Sequence, residues 1–524
     1  MTAERLDGPR TGSRLDDWFS RTVSTPIRQR IWHWGLPIAV TLLAAVLRLW
    51  DLGSPRALVF DETYYVKDAY SLSRLGYEGS WAKAANPQFE QGITTGLSTD
   101  PSFVVHPPLG KWLISLGIQW FGVENPMGWR ITTALAGIIA VWLVIAVARR
   151  LMQSTLLASI AGLLLAVDGS AVVMSRVAIL DNWVMLFVLI GAAAVLADRA
   201  GHERRLAERF AWAQSGGHVH PWGPVFWWRP WLLAAGLAFG AATAVKWSGL
   251  WFLAGFGVYL VAVDALARRR VGFSRGVRAS LFAQGPVSFV TVVAPGALVY
   301  LASWTGWLLT SGGWNRNWAS LNGYTGPFPN WLASLGYYHQ QAYNYHVSLT
   351  SHHPYQANPL TWLFMIRPTS MYYEGATFGE NGCTFDSCSS AITGIGNPLI
   401  WWAATIAAGY LYYRLIMRRE WQVGFMLVGL AAGYLPWLNY LNRTVFEFYT
   451  IAFEPFLILG LTWCLGLVLG TAADARERRT RNLALVAVYL SATVAVSAFF
   501  VPLMTGMQVP FWFWNAHMWL PSWR

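Results

Sequence analysis

Charge is what this 524-residue chain has least of. Asp, Glu, Lys and Arg make up 12% of it, against about 25% in an ordinary soluble domain. That scarcity excludes a disordered chain and a nucleic-acid-binding arm, and it argues against a cytosolic enzyme. Cysteine is nearly absent, with three residues, which excludes a disulfide-dense scaffold. No internal repeat is visible, which argues mildly against a secondary transporter, whose halves often show repeat symmetry. The first 30 or so residues have no apolar core and no small-residue cleavage site. They read as a cytoplasmic arm, not a cleaved signal peptide.

Apolar residues dominate instead, at 55% of the chain. Runs long enough to cross a bilayer, each needing about 20 residues, recur from end to end. Eleven candidate spans lie near 31–52, 128–148, 153–168, 181–198, 231–247, 249–264, 283–309, 396–417, 422–438, 450–470 and 482–505. The fold class expected is an all-α polytopic membrane protein. Domains 31–309 and 396–524 carry the spans, and two long outer loops cover 53–127 and 310–395. Long loops in compact proteins are usually functional, and both of these are expected to contain short interfacial helices.

The formal net charge is +12, and the position of the cations explains it. Clusters at Arg5–Arg30, Arg149–Arg150, Arg199–Arg229, Arg268–Arg278, Arg414–Arg419 and Arg476–Arg481 hold 25 of the 38 basic residues. With eleven spans they all fall on one side, which the positive-inside rule makes cytoplasmic. The N-terminus is then inside and the C-terminus outside. The other 13, including all four lysines, resist that rule. Arg48, Arg130, Lys246 and Arg443 sit at or within the outer ends of spans. Each alone reads as a snorkelling anchor; gathered together they would hold an anionic lipid headgroup.

The outer acids are placed as unusually. Asp61-Glu62 follows the apolar Ala57–Phe60, and Asp181 starts the fourth span after Arg176. Adjacent carboxylates do not share one face of a regular element, so the two are expected to have different roles. One reading is general-base work, the other a structural ion pair with Arg48 or Arg56. His106-Pro107-Pro108-Leu109-Gly110-Lys111 opens an amphipathic helix, with prolines suited to its first turn. His106 and Lys111 then lie near a helix start, where an anion is favoured. Cys383 and Cys388 bracket Thr-Phe-Asp-Ser in the second loop. They are either a small disulfide loop or two free thiols, and their spacing argues against zinc.

At these strings the chain resembles the protein O-mannosyltransferases, which have the glycosyltransferase C fold. The resemblance rests on Phe60-Asp61-Glu62 with Tyr64 and Lys67, and on His106 to Lys111. It extends through Arg130, Ser175-Arg176 to Leu180-Asp181, Val245-Lys246-Trp247-Ser248-Gly249, His353-Pro354-Tyr355 and Gly396-Asn397-Pro398. Eukaryotic members carry a β-trefoil (MIR) domain in the second outer loop, and here that loop is too short for one. The chain therefore looks like the bacterial, plasma-membrane type. The resemblance implies an inverting transfer of mannose from polyprenyl-phosphate mannose to Ser or Thr hydroxyls of secreted or membrane proteins. The closest alternative is a same-fold transferase with a lipid or glycan acceptor.

In that reaction Asp61 is expected to take the hydroxyl proton. Glu62 is expected to orient the site through Arg48 or Arg130. Lys246, Arg130 and Arg443 are expected to hold the leaving phosphate, with His353 and Asn397 behind them. Arg48, His106, Lys111, Arg176 and Asp181 are supporting candidates. No cofactor and no obligatory metal are expected, since one acidic pair among cations does not resemble a divalent site. Trp314, Trp318 and Trp362 are candidates to stack on sugar or peptide.

Overall fold

The computed structural model describes residues 11–524; Arg5 and Arg10 lie outside the described residues. The protein is mostly helical, and each expected span coincides with a helix. Among the described residues, seven helices are long and apolar enough to cross a membrane. They are Pro26–Leu49, Pro126–Met152, Asp181–Ser215, Gly249–Val271, Gly276–Ser303, Trp421–Asn439 and Arg476–Thr505. An eighth is broken: Thr155–Val167 and Gly169–Arg176 meet at 61°. Asp168 makes that break, because its carboxylate accepts from the backbone N–H groups of Ser170 and Ala171 and so starts a new helix.

Pro230–Val245 and Glu454–Leu469 are apolar but have only 16 residues each. At 1.5 Å per residue such a helix rises about 24 Å, short of the roughly 30 Å hydrocarbon layer. Their neighbours make up the difference. Pro230–Val245 packs between Asp181–Ser215 and the Gly285–Ser303 helix. A Cβ on Gly240 would lie 2.4 Å from the Cα of Gly296, so this contact is backbone on backbone and admits only glycine. The bundle is centred on Pro126–Met152 and Asp181–Ser215, whose span windows are each 61% buried, against 17% for Pro26–Leu49.

Caps explain where the helices start. Asn125 caps Pro126–Met152, Ser154 caps Thr155–Val167 and Asn397 caps Pro398–Arg418, each through its side-chain oxygen. The basic arm is clipped to the start of the last long helix, where Asp16 accepts from Arg479 and Asp17 pairs with Arg476.

The all-α expectation needs one correction. Strands β1 (Gly79–Trp81) and β2 (Leu97–Pro101) pair within the first loop. Strands β3 (Ser370–Thr377), β4 (Ser387–Thr393) and β5 (Gln508–Pro510) form a second antiparallel sheet in the order β3-β4-β5. The second loop thus contains the expected helix, Asn330–Ser348, and also a hairpin that recruits the segment after the last long helix. Cys383 and Cys388 are joined as a disulfide that closes the β3–β4 hairpin.

Candidate active site

Phe60, Asp61 and Glu62 form the turn into the first-loop helix Glu62–Leu75. Phe60 is held at φ 48°, a left-handed conformation that is costly for a bulky residue. Two sets of contacts enforce it. Its ring meets His353, Phe446 and Phe448 edge-on at 6.0, 5.7 and 5.7 Å. Glu62, fully buried, accepts from the Val59 N–H at 2.9 Å and from the Ala178 N–H at 2.8 Å.

Arg130 completes this pin. Its Nε and Nη2 donate to the two Glu62 oxygens at 2.8 Å each. Its remaining N–H groups donate to the carbonyls of Leu52, Ser54, Pro55 and Ala57. One guanidinium therefore ties down the whole turn that precedes Asp61.

Asp61 itself remains partly exposed. Burial lifts its carboxyl to about 6, with the Asp181 charge pushing it up further and Lys246 and the Tyr65 hydroxyl pulling it back. It feels the charges of Lys246 and Asp181, which lie in the wall of a cavity of about 690 Å³ together with His106, Trp247, His346 and Arg443. The opposite part of the wall is apolar, with Leu250, Trp251, Leu253 and Ala297.

Lys246 ends Pro230–Val245 in an extended conformation. Its ammonium donates to Asp181 at 2.7 Å and lies 4.6 Å from the Tyr449 ring centre. His106 is pushed well below the ordinary imidazole range, first by burial and then by Lys246 and other nearby groups. Among the described residues its ring makes no hydrogen bond, so its nitrogens are free toward the cavity. The site thus combines a carboxylate poised to accept a proton, two cations and an apolar trough beside them. Such a set suits displacement of an anionic leaving group attached to a greasy chain.

The comparisons with known proteins point the same way. Residues 38–216 match the model described as dolichyl-phosphate-mannose-protein mannosyltransferase. Residues 332–523 match the C-terminal four-transmembrane region of protein-O-mannosyltransferase. The polyprenol-phosphate-mannose–protein mannosyltransferase of Mycolicibacterium smegmatis strain MKD8 is 36% identical, covering 94% of this chain and 93% of its own. The chain belongs to this protein mannosyltransferase family.

The relative of the same name from Mycobacterium tuberculosis H37Rv is 34% identical over 94% of this chain and 92% of its own. In fold, the chain resembles the Saccharomyces cerevisiae protein O-mannosyltransferase Pmt1–Pmt2 complex bound to the sugar donor. That match has TM-score 0.69 at 15% identity and covers 100% of this chain and 96% of that one. An archaeal oligosaccharyltransferase, AglB from Archaeoglobus fulgidus, follows at TM-score 0.50 and 12% identity, covering 91% and 57%.

Within this family member, several expected residues lie away from the cavity. Arg130 is spent on Glu62 and four carbonyls, which leaves nothing for a phosphate. Asn397 caps its helix, and its amide donates to the Thr493 carbonyl and Ser497 Oγ. Arg48 does not reach Glu62. It is buried against the Ser175 hydroxyl and the carbonyls of Leu165 and Ala166. Arg176 donates to the carbonyls of Leu47, Arg48, Trp50 and Asp51 and so closes the C-terminal end of Pro26–Leu49.

Lys111 is buried on Glu78 and on the His106 carbonyl at 3.0 Å. It orients His106 and is not a site for an anion. His353 packs on Phe60 and Phe446 outside the cavity wall. Trp362 is fully buried, whereas Trp318 stacks flat on Tyr337, with centres 4.3 Å apart.

Sequence reasoning passed over His339 and His346, and it named Trp247 only as part of a motif. His339 and His346 are seven residues apart in a helix, two turns along one face, and that spacing was the available signal. On this face the Trp247 indole donates to the Tyr300 hydroxyl, which donates to His339 Nε2 at 2.6 Å.

Proposed function

We propose that this chain transfers mannose from polyprenyl-phosphate mannose to Ser or Thr hydroxyls of secreted or membrane proteins, inverting the anomeric centre. The observation that carries it is a partly exposed carboxylate, Asp61, in the field of the Asp181–Lys246 pair, which lines a cavity with both cationic and apolar walls. The acceptor oxygen bonds to C1 of mannose as the bond from C1 to the phosphate oxygen breaks. Asp61 takes the hydroxyl proton. Lys246 and Arg443 balance the charge that stays on the lipid phosphate. Glu62 touches no reacting atom; with Arg130 it fixes the turn that aims Asp61. The apolar wall between the Gly249–Val271 and Gly285–Ser303 helices suits the first isoprene units.

The reading includes an eleven-span glycosyltransferase C architecture in the bacterial plasma membrane, with the N-terminus cytoplasmic and the site and C-terminus outside. The segregation of arginines supports this orientation. It includes no obligatory metal, because Glu62 and Asp181 are already paired with cations.

The test supplies labelled polyprenyl-phosphate mannose and a Ser/Thr/Pro-rich peptide to membranes containing the protein. Label is expected on the peptide, in α-linkage. Label on lipid or glycan alone would overturn the protein-acceptor reading in favour of a same-fold transferase with another acceptor.

A further inference from the structure

We propose that His346 is the positioning residue that aims Arg443 at the donor phosphate, and that it does so by bridging the two outer loops. The inference rests on the reading of the cavity as a lipid-phosphate site.

His346 lies in the last turn of Asn330–Ser348. Its Nε2 is 3.1 Å from the Val105 carbonyl. A carbonyl only accepts, so Nε2 carries the proton and Nδ1 is left with a lone pair. Arg443 Nη2 donates to that lone pair at 3.0 Å. Burial and the charge of Arg443 hold the imidazole down to about 4, so this tautomer persists at any pH the protein meets. The ring is fixed on its other sides by His106 at 5.2 Å and Trp247 at 5.7 Å.

Arg443 needs such support. It sits in a short irregular stretch, and among the described residues no carboxylate pairs with it. Its neighbour Thr444 is tied to the Leu349 carbonyl at 3.1 Å and Val445 to the Ala357 N–H at 2.8 Å. Those bonds hold the backbone but not the side chain. Its Nε is buried without a partner among the described residues. Arg443 lines the cavity and keeps donors unspent there, whereas the other cation of its wall, Lys246, is paired with Asp181. A rigid acceptor that leaves an arginine's charge intact differs from a carboxylate partner, which would cancel it.

The test measures binding of undecaprenyl phosphate and of uncharged undecaprenol to the purified full-length protein. Wild type is compared with His346→Ala, His346→Gln, Arg443→Ala and the Ala/Ala double variant. His346→Ala and Arg443→Ala are each expected to weaken phosphate binding about tenfold or more. The double variant should be no weaker than Arg443→Ala alone. His346→Gln, which can both donate and accept, should recover most of the loss, and undecaprenol binding should not change.

An undiminished penalty for His346→Ala in the Arg443→Ala background would overturn the proposal. So would equal losses for undecaprenol. Wild type binding both lipids alike would overturn the phosphate site itself. A protein that binds the phosphate as expected but mannosylates no peptide would overturn only the acceptor reading above.

Discussion

Glu62 accepts from Nε and Nη2 of Arg130 at 2.8 Å each, while its neighbour Asp61 lies in the field of Lys246 instead. Two adjacent carboxylates thus have opposite settings, one consumed by a buried ion pair and one left partly exposed without such a partner. Substitutions should separate them. Asp61→Asn is expected to lower turnover by about 10²–10⁴-fold, the usual worth of a positioned base, in protein that still accumulates and melts near the wild-type temperature. Retained turnover would remove Asp61 from the base role.

Glu62→Ala should fail differently. Breaking a buried ion pair costs about 3–5 kcal/mol, because the remaining charge is stranded. Arg130 would be stranded together with the turn it holds. The expected result is a marked fall in melting temperature and in folded yield, with residual activity tracking the folded fraction. Arg130→Ala should match it, and the double change Glu62→Gln with Arg130→Met should be milder than either single alanine.

The pH dependence follows from Asp61 as well. A base must be unprotonated, and its carboxyl is lifted to about 6. Transfer under kcat/KM conditions should therefore be lost as pH falls through about 6 and level off above it. Asp181 contributes to that lift by like-charge repulsion. Asp181→Asn should move the acid limb to lower pH, an effect that a measured pH–rate profile resolves even if overall activity drops.

Removing the Cys383–Cys388 bridge should matter little. The loop it closes is very short, so the entropy it withholds from the unfolded chain is about 2 kcal/mol by the loop-closure relation. The hairpin is distant in sequence from every cavity residue. The Cys383→Ser, Cys388→Ser pair is expected to lower the melting temperature by a few degrees and leave mannosyl transfer within about twofold. Loss of transfer would place the hairpin in acceptor handling.

Much of this arrangement was legible beforehand, for physical reasons. Apolar runs report spans, because nothing else in a chain needs 20 apolar residues in a row. Asp61, Asp181, Lys246 and His106 stood out because charge is costly where they sit. Arg130 stood out by the same logic and was assigned both to Glu62, which it holds, and to the phosphate, for which it has no donor left. An arginine that satisfies buried carbonyls and one that grips a phosphate have the same letter in the same place. Only the carbonyls of Leu52, Ser54, Pro55 and Ala57, brought together by folding, distinguish them. His346 was missed for the opposite reason. A neutral histidine in a tyrosine-rich helix leaves no charge anomaly to notice. The β4–β5 pairing joins short strands far apart in sequence, and neither strand has enough alternation to announce itself.

That pairing also bears on how the protein is made. Gln508–Pro510 leaves the ribosome only after the last long helix, long after the β4 strand it completes. Until then β4 keeps one open edge, and the second loop waits with its sheet unfinished. Completion of that sheet is thereby tied to synthesis of the final long helix, Arg476–Thr505. A chain stalled before that segment would carry every cavity residue and yet lack the strand that closes the sheet.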